Sequence, residues 1–130
     1  MKALTTILML CLPVAAMGEI FACTSTYGVA INEDSIVAQG IPNQSWIVDT
    51  RRGVRVPAEN NGEVRKDYIG ECKVSSVSVA MNVWCSAKDL QFPSTAHLIE
   101  VDKLTTGEIT FKASMYLGFN ASYAGTCIEI

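Results

Sequence analysis

The chain has 130 residues, 49% hydrophobic and 18% charged, with 13 acids, 10 bases and one histidine. This length holds one domain with a real core and is too short for two. The net charge of −3 argues against non-specific nucleic-acid binding, which needs a clustered positive surface.

Met1 and Lys2 are followed by fourteen uncharged positions, "ALTTILMLCLPVAA", and then by Met17 and Gly18. A weakly charged start, a short apolar run and small residues at Ala16 and Gly18 are the marks of an export signal over residues 1–18. The run is shorter than the roughly 20 residues that span a bilayer, so the mature chain is expected to have no transmembrane segment. A buried amino-terminal helix is the alternative. Export leaves a single β domain over 19–130, with a secreted or periplasmic location. Loss of Lys2 makes the mature balance nine bases against 13 acids, or −4.

From residue 20 onward the apolar spacing is two, with β-branched and aromatic residues in short runs between turn signals. "FACTSTY" and "SIVAQ" open the series of strands. "IFAC" before Cys23 faintly resembles a lipid-attachment box, but Glu19 and Phe21 do not suit it, and lipidation would leave three cysteines. "SWIVDTRRGVRV" reads as a hairpin in which Gly53 supplies the positive φ of a tight connection. It carries the candidate binding residues Trp46, Arg51, Arg52 and Arg55, because arginine beside an exposed aromatic is the composition of a recognition surface. Guanidinium groups also suit anionic glycans and phosphates. The alternative is that the arginines solubilise an edge and Trp46 belongs to the core.

"PAENNGE" is a loop, since Pro57 cannot donate to a ladder and Asn60, Asn61 and Gly62 are turn formers. "VSVAMNVWC" reads as one strand, with Val77, Val79, Met81, Val83 and Cys85 on the buried face and Trp84 on the wet face. His97 follows "QFPSTA" and alternates with Ile99 and Val101. It is either a general base or metal ligand, or a cap residue at a strand end. "HLIEVDKLTTGEITFKAS" is a second hairpin turning through Thr105, Thr106 and Gly107, with Ile109, Phe111 and Ala113 inward. In "YLGFNASY", Tyr116, Phe119 and Tyr123 either line a ligand mouth or fill the core. Asn43 and Asn120 match glycosylation acceptors, which matter only in a eukaryotic secretory route. A short strand around Cys127–Ile130 closes the chain.

The expected fold is all-β, a small antiparallel sandwich or closed barrel of seven to nine strands. Cys11 leaves with the signal, so Cys23, Cys72, Cys85 and Cys127 form the even set that reads as two disulfides in an exported chain. Three pairings are open. The favoured one is Cys23–Cys127, clasping the ends, with Cys72–Cys85 closing a local loop. Against the second bond, an unbroken strand through Cys85 hairpinned onto "DYIGEC" would place the two sulfurs about 9 residues, roughly 30 Å, apart.

The early cysteine in a strand, two middle cysteines, the hairpin over 98–111, the aromatic stretch from Tyr116 to Tyr123 and the closing "GTCIEI" together resemble a group of small uncharacterised exported bacterial β-proteins. That resemblance implies a compact disulfide-bonded β fold and no particular activity.

No zinc spacing, calcium loop or cofactor motif is present, and paired cysteines offer no thiolate. Three functions therefore compete. The first is an exported binding module that recognises another protein or an anionic glycan, in the manner of an inhibitor or an envelope-glycan receptor. The second is a small-ligand carrier with a barrel cavity, and the third a hydrolase using two dispersed carboxylates.

Overall fold

Among the described residues nine antiparallel strands form one sheet: β1 (Ile20–Asn32), β2 (Ser35–Val37), β3 (Ser45–Asp49), β4 (Gly53–Arg55), β5 (Glu71–Val77), β6 (Ala80–Asp89), β7 (Thr95–Lys103), β8 (Ile109–Tyr116) and β9 (Asn120–Glu129). The structure is a computed structural model that describes residues 18–32, 35–37, 44–58, 63–77, 80–89, 95–116 and 120–130. The proposed export signal before Gly18, the tip of the "PAENNGE" loop, Asn43, Val79 and Phe119 lie outside the described residues. Among the described residues no helix is long and apolar enough to cross a membrane.

The strand order is β4-β3-β1-β9-β8-β7-β6-β5, with β2 paired to the far part of β1. Eight strands along this path curl into a nearly closed barrel, and its two ends meet at one seam. There the Val54 and Ile69 amides each donate to the other's carbonyl at 2.9 Å, so the segment entering β5 lies against β4. Gly70 (φ 71°) then carries the chain across onto β6; a Cβ there would strike the Ala87 side chain at 2.6 Å. Gly53 (φ 105°) faces the same seam, where a Cβ would meet the Gly70 carbonyl oxygen at 2.6 Å. Positive φ and lack of space both demand glycine at that turn.

The strand period of two sends alternate residues into the barrel. Phe21 and Cys23 from β1, Trp46 and Val48 from β3, Val54 from β4, Val83 and Cys85 from β6, Ile99 and Val101 from β7, and Phe111 and Ala113 from β8 make the core. Trp46 is fully buried, with its ring 5.1 Å from that of Phe111 and 5.2 Å from that of Tyr123. Such tilted aromatic contacts add to the hydrophobic gain of burial. A bulge between Ser25 and Tyr27 resets the phase of β1, so Ser25 and Gly28 are buried while Tyr27 is exposed.

Both disulfides join directly paired residues of neighbouring strands. Cys23 opposes Cys127 in the β1–β9 ladder and Cys72 opposes Cys85 in the β5–β6 ladder. Their Cα separations of 4.0 and 4.1 Å belong to the close, non-hydrogen-bonded kind of antiparallel pair.

One expected strand is in fact two. "VSVAMNVWC" is not continuous: Val77 ends β5, and the chain reverses between it and Ala80, its ladder partner. Val77 is accordingly 76% exposed rather than buried with Val83. The reversal is what brings Cys72 opposite Cys85 and removes the distance objection to their pairing. The last strand is also longer than expected, since β9 begins at Asn120.

Removing the Cys23–Cys127 bridge, which closes a loop of 104 residues, is expected to cost about 5 kcal/mol, and removing Cys72–Cys85, 13 residues apart, about 3 kcal/mol. Urea titrations of the two double-serine variants should therefore rank C23S/C127S as the less stable. Gly53→Ala is expected to lose more than about 1 kcal/mol in the same assay.

Candidate functional site

Two groups of polar side chains stand out, one on the outside of the barrel at the β3–β4 turn and one in its interior. The turn is built on Asp49, whose buried carboxylate accepts hydrogen bonds from the Arg51 and Arg52 amides at 2.9 and 3.1 Å. A short side chain bonding the backbone two and three residues onward is a common way to fix a turn. The turn sets the directions of its arginines. Arg51 and Arg52 are exposed, and the Arg52 and Arg55 guanidinium carbons lie 5.6 and 5.9 Å from the centre of the Tyr68 ring. The Arg52 Nε also stands 3.9 Å from the Asp49 carboxylate. Arg55 is further held by its Nε, which donates to the Arg65 carbonyl at 2.6 Å. Two guanidinium groups on one ring form a preset cationic surface.

Trp46 is absent from that surface. The structure places it in the core, so the three arginines and Trp46 proposed together from the sequence are separated, and Tyr68 is the aromatic that the arginines meet. Sequence spacing gave no sign of Tyr68, because it arrives from the far side of the loop and is positioned by the Val54–Ile69 pairing.

The second group lies inside, where β6 ends and β7 begins. The first residue of β7, Thr95, opposes the last residue of β6, Asp89, and both are buried. Arg65 reaches Asp89 from across the seam and forms an ion pair with it. One step deeper, His97 lies between Ala87 on β6 and Met115 on β8. It is 3% exposed, and neither ring nitrogen has a protein hydrogen-bond partner. Burial holds its pKa below 6.5; the Asp89 charge pulls upward and the Arg65 charge downward. The sequence placed His97 at a strand end, and the structure puts it there but facing in.

Of the expected mouth residues, Tyr116 is exposed and Tyr123 packs on Trp46, where desolvation raises its pKa. Asn120 is exposed at the start of β9. On the outer face, Glu100 and Asp102 both accept from the Asn82 amide, at 3.0 and 2.6 Å. Asn82 and Asp102 line a shallow cleft of about 200 Å³ with Val77, Ala80 and Leu104. Among the described residues no cluster of three or more His, Cys, Asp or Glu could hold a metal ion.

His97 also fixes a pH dependence. Its folded pKa is depressed, so the unfolded chain takes up its proton first, and stability is complete above about pH 6.5 and falls as the pH drops below it. As the only histidine, it is the one side chain with an ordinary pKa in that range. Denaturation midpoints followed from pH 7.5 to 5 should decline in the wild type and flatten in His97→Gln. No known protein family, curated protein or solved structure matches this chain.

Proposed function

We propose that the protein is an exported binding module that captures an anionic glycan through Arg51, Arg52 and Arg55, with Tyr68 as the platform beneath two of them. The observation that carries this reading is the stacking of Arg52 and Arg55 on one ring beside a turn anchored by Asp49. Guanidinium groups held in place bind carboxylate or sulfate with little ordering cost. The local charge also stands against an acidic whole: the stretch from Arg51 to Lys66 has five cations and two acids, in a chain of net charge −3.

A glycan fits better than a protein epitope. Protein hot spots are built around large aromatic anchors that become fully desolvated on binding, and Trp46, which would have served here, is already inside the core. What remains outside at this turn is planar charge on a partly buried tyrosine. Export is supported by the two disulfides, since such bonds persist in oxidising compartments.

The test is retention on an immobilised sulfated or uronic-acid polysaccharide. The triple variant Arg51→Ser, Arg52→Ser, Arg55→Ser should elute at clearly lower salt than the wild type while its urea midpoint stays close to the parent's. Retention that is unchanged in the variant sinks the reading. Capture of acidic peptides in preference to the polysaccharide would move the surface to the protein-recognition class instead.

A further inference from the structure

The two ends of the sheet meet along only part of their length. The Val54–Ile69 pairing seals the seam just before β5 begins, and β5 then runs on from Glu71 to Val77. Antiparallel pairing of Val54 with Ile69 sets Gly53 against Gly70, so the β3–β4 turn comes round before it can cover the rest of β5. Among the described residues β5 pairs with β6 alone and is an end strand of the sheet. Lys73, Val74, Ser75, Ser76 and Val77 are all exposed.

The disulfide on β5 tells which backbone groups this edge presents. Cys72 and Cys85 form a close pair, Cα to Cα 4.1 Å, of the non-hydrogen-bonded kind, and the two kinds alternate along an antiparallel ladder. Glu71, Lys73, Ser75 and Val77 therefore turn their amides and carbonyls towards β6, whereas Cys72, Val74 and Ser76 turn theirs away from it. No strand among the described residues receives them. Such a row is a template for one more strand, and monomers commonly blunt it with a proline, a bulge or an inward-pointing charge. β5 has no proline, and its register with β6 is unbroken. At its centre the inward-facing side chain is Val74, 48% exposed although its ladder partner Val83 is fully buried.

The edge matches itself. Two copies of β5 laid antiparallel about a twofold axis through Val74 overlap along the whole strand, with Val74 opposite its own counterpart and Cys72 opposite Ser76. Every amide and carbonyl that points off the edge then finds a partner. Glu71 meets Val77 and Lys73 meets Ser75, so no like charges are directly opposed. A slip of two residues one way sets Lys73 against its own counterpart, and a slip the other way leaves Cys72 without a partner. An unrelated extended peptide has no such built-in register. The Cys72–Cys85 bond holds the edge in place beforehand, which lowers the ordering cost of association.

We infer that the protein forms a twofold dimer in which β5 of one copy adds to β5 of another, antiparallel and centred on Val74. The two barrel sheets become one continuous sheet, and the two Val74 side chains cover each other on its inner face.

The oxidised protein is followed by sedimentation from about 1 μM to about 1 mM, the range in which a small interface associates. Its mass should rise to that of two chains. Hydrogen exchange on the same samples reads the geometry: the amides of Cys72, Val74 and Ser76 should slow about tenfold or more in the dimer, whereas those of Lys73 and Ser75, bonded to β6, are protected throughout. Val74→Lys, which points a charge inward at the edge, should keep the protein monomeric over the range while its urea midpoint at low concentration stays close to the parent's. Leu98→Ser, which removes an exposed apolar side chain from β7, should leave the dimer unchanged. A single-chain mass at every concentration overturns the inference, including the case in which the edge serves a peptide of another protein. So does a dimer without the alternating protection, one that survives Val74→Lys, or one that Leu98→Ser abolishes. No polysaccharide enters these measurements, so their failure and that of the arginine surface are told apart.

Discussion

The interior of an eight-stranded barrel is only about as wide as the side chains that fill it, and this limit organises the molecule. Trp46, Phe21 and Phe111 occupy the middle, with Val48, Val83 and Val101 around them. The same lack of room sets the backbone at the margins. Gly125 pairs with Ser25 where β9 runs along β1, and a Cβ there would come within 2.8 Å of the Phe111 ring. The bulge at Ser25–Tyr27 turns β1 so that Gly28, with no side chain, is buried opposite Tyr123 on the paired strand. Both cysteine pairs face inward as well, so their sulfur is part of the packing and also a covalent tie between adjacent strands.

A filled interior leaves room for clustered polar side chains only outside the barrel or at the margins of the core. The outward choice is the β3–β4 turn, where Asp49 orders two arginine amides and Tyr68 receives two guanidinium groups. These contacts depend on the seam, because the Val54–Ile69 hydrogen bonds put Tyr68 beside β4. The marginal choice is the His97 layer. Arg65 belongs to both regions: its carbonyl holds Arg55, and its guanidinium meets Asp89. The short segment that closes the barrel thus supports the outer surface with its backbone and the inner cluster with its side chain.

Much of the fold was legible because alternation is a local signal. Ile109, Phe111 and Ala113 face in, Trp84 faces out, and Gly53 takes the positive φ, as the residues alone indicate. The failure at residues 77–85 has a physical cause. In an antiparallel hairpin, paired residues share a face, and Val77 pairs with Ala80, so the inward parity switches from even numbers on β5 to odd numbers on β6. An exposed valine at 77 continues the odd-numbered apolar series by chance, and the switch is hidden. The cysteines carried the missing information, since Cys72 and Cys85 are centred on the same point of the chain as Val77 and Ala80.

The inward direction of His97 was equally open to reading, since it shares parity with Ile99 and Val101 on β7. What the sequence withheld was its surroundings. Ala87, Met115, Asp89 and Arg65 come from three other parts of the chain, and only the sheet order brings them to one layer. That non-local assembly decides the chemistry, because it is the burial it creates that lowers the pKa of the ring. Buried beside the Arg65–Asp89 ion pair, the ring has its pKa lowered by desolvation first, while the two charges act on it in opposite directions. The packing of Trp46, Phe21, Phe111 and the core valines makes no use of those nitrogens, so stability alone gives no reason for an imidazole where a leucine would bury more favourably.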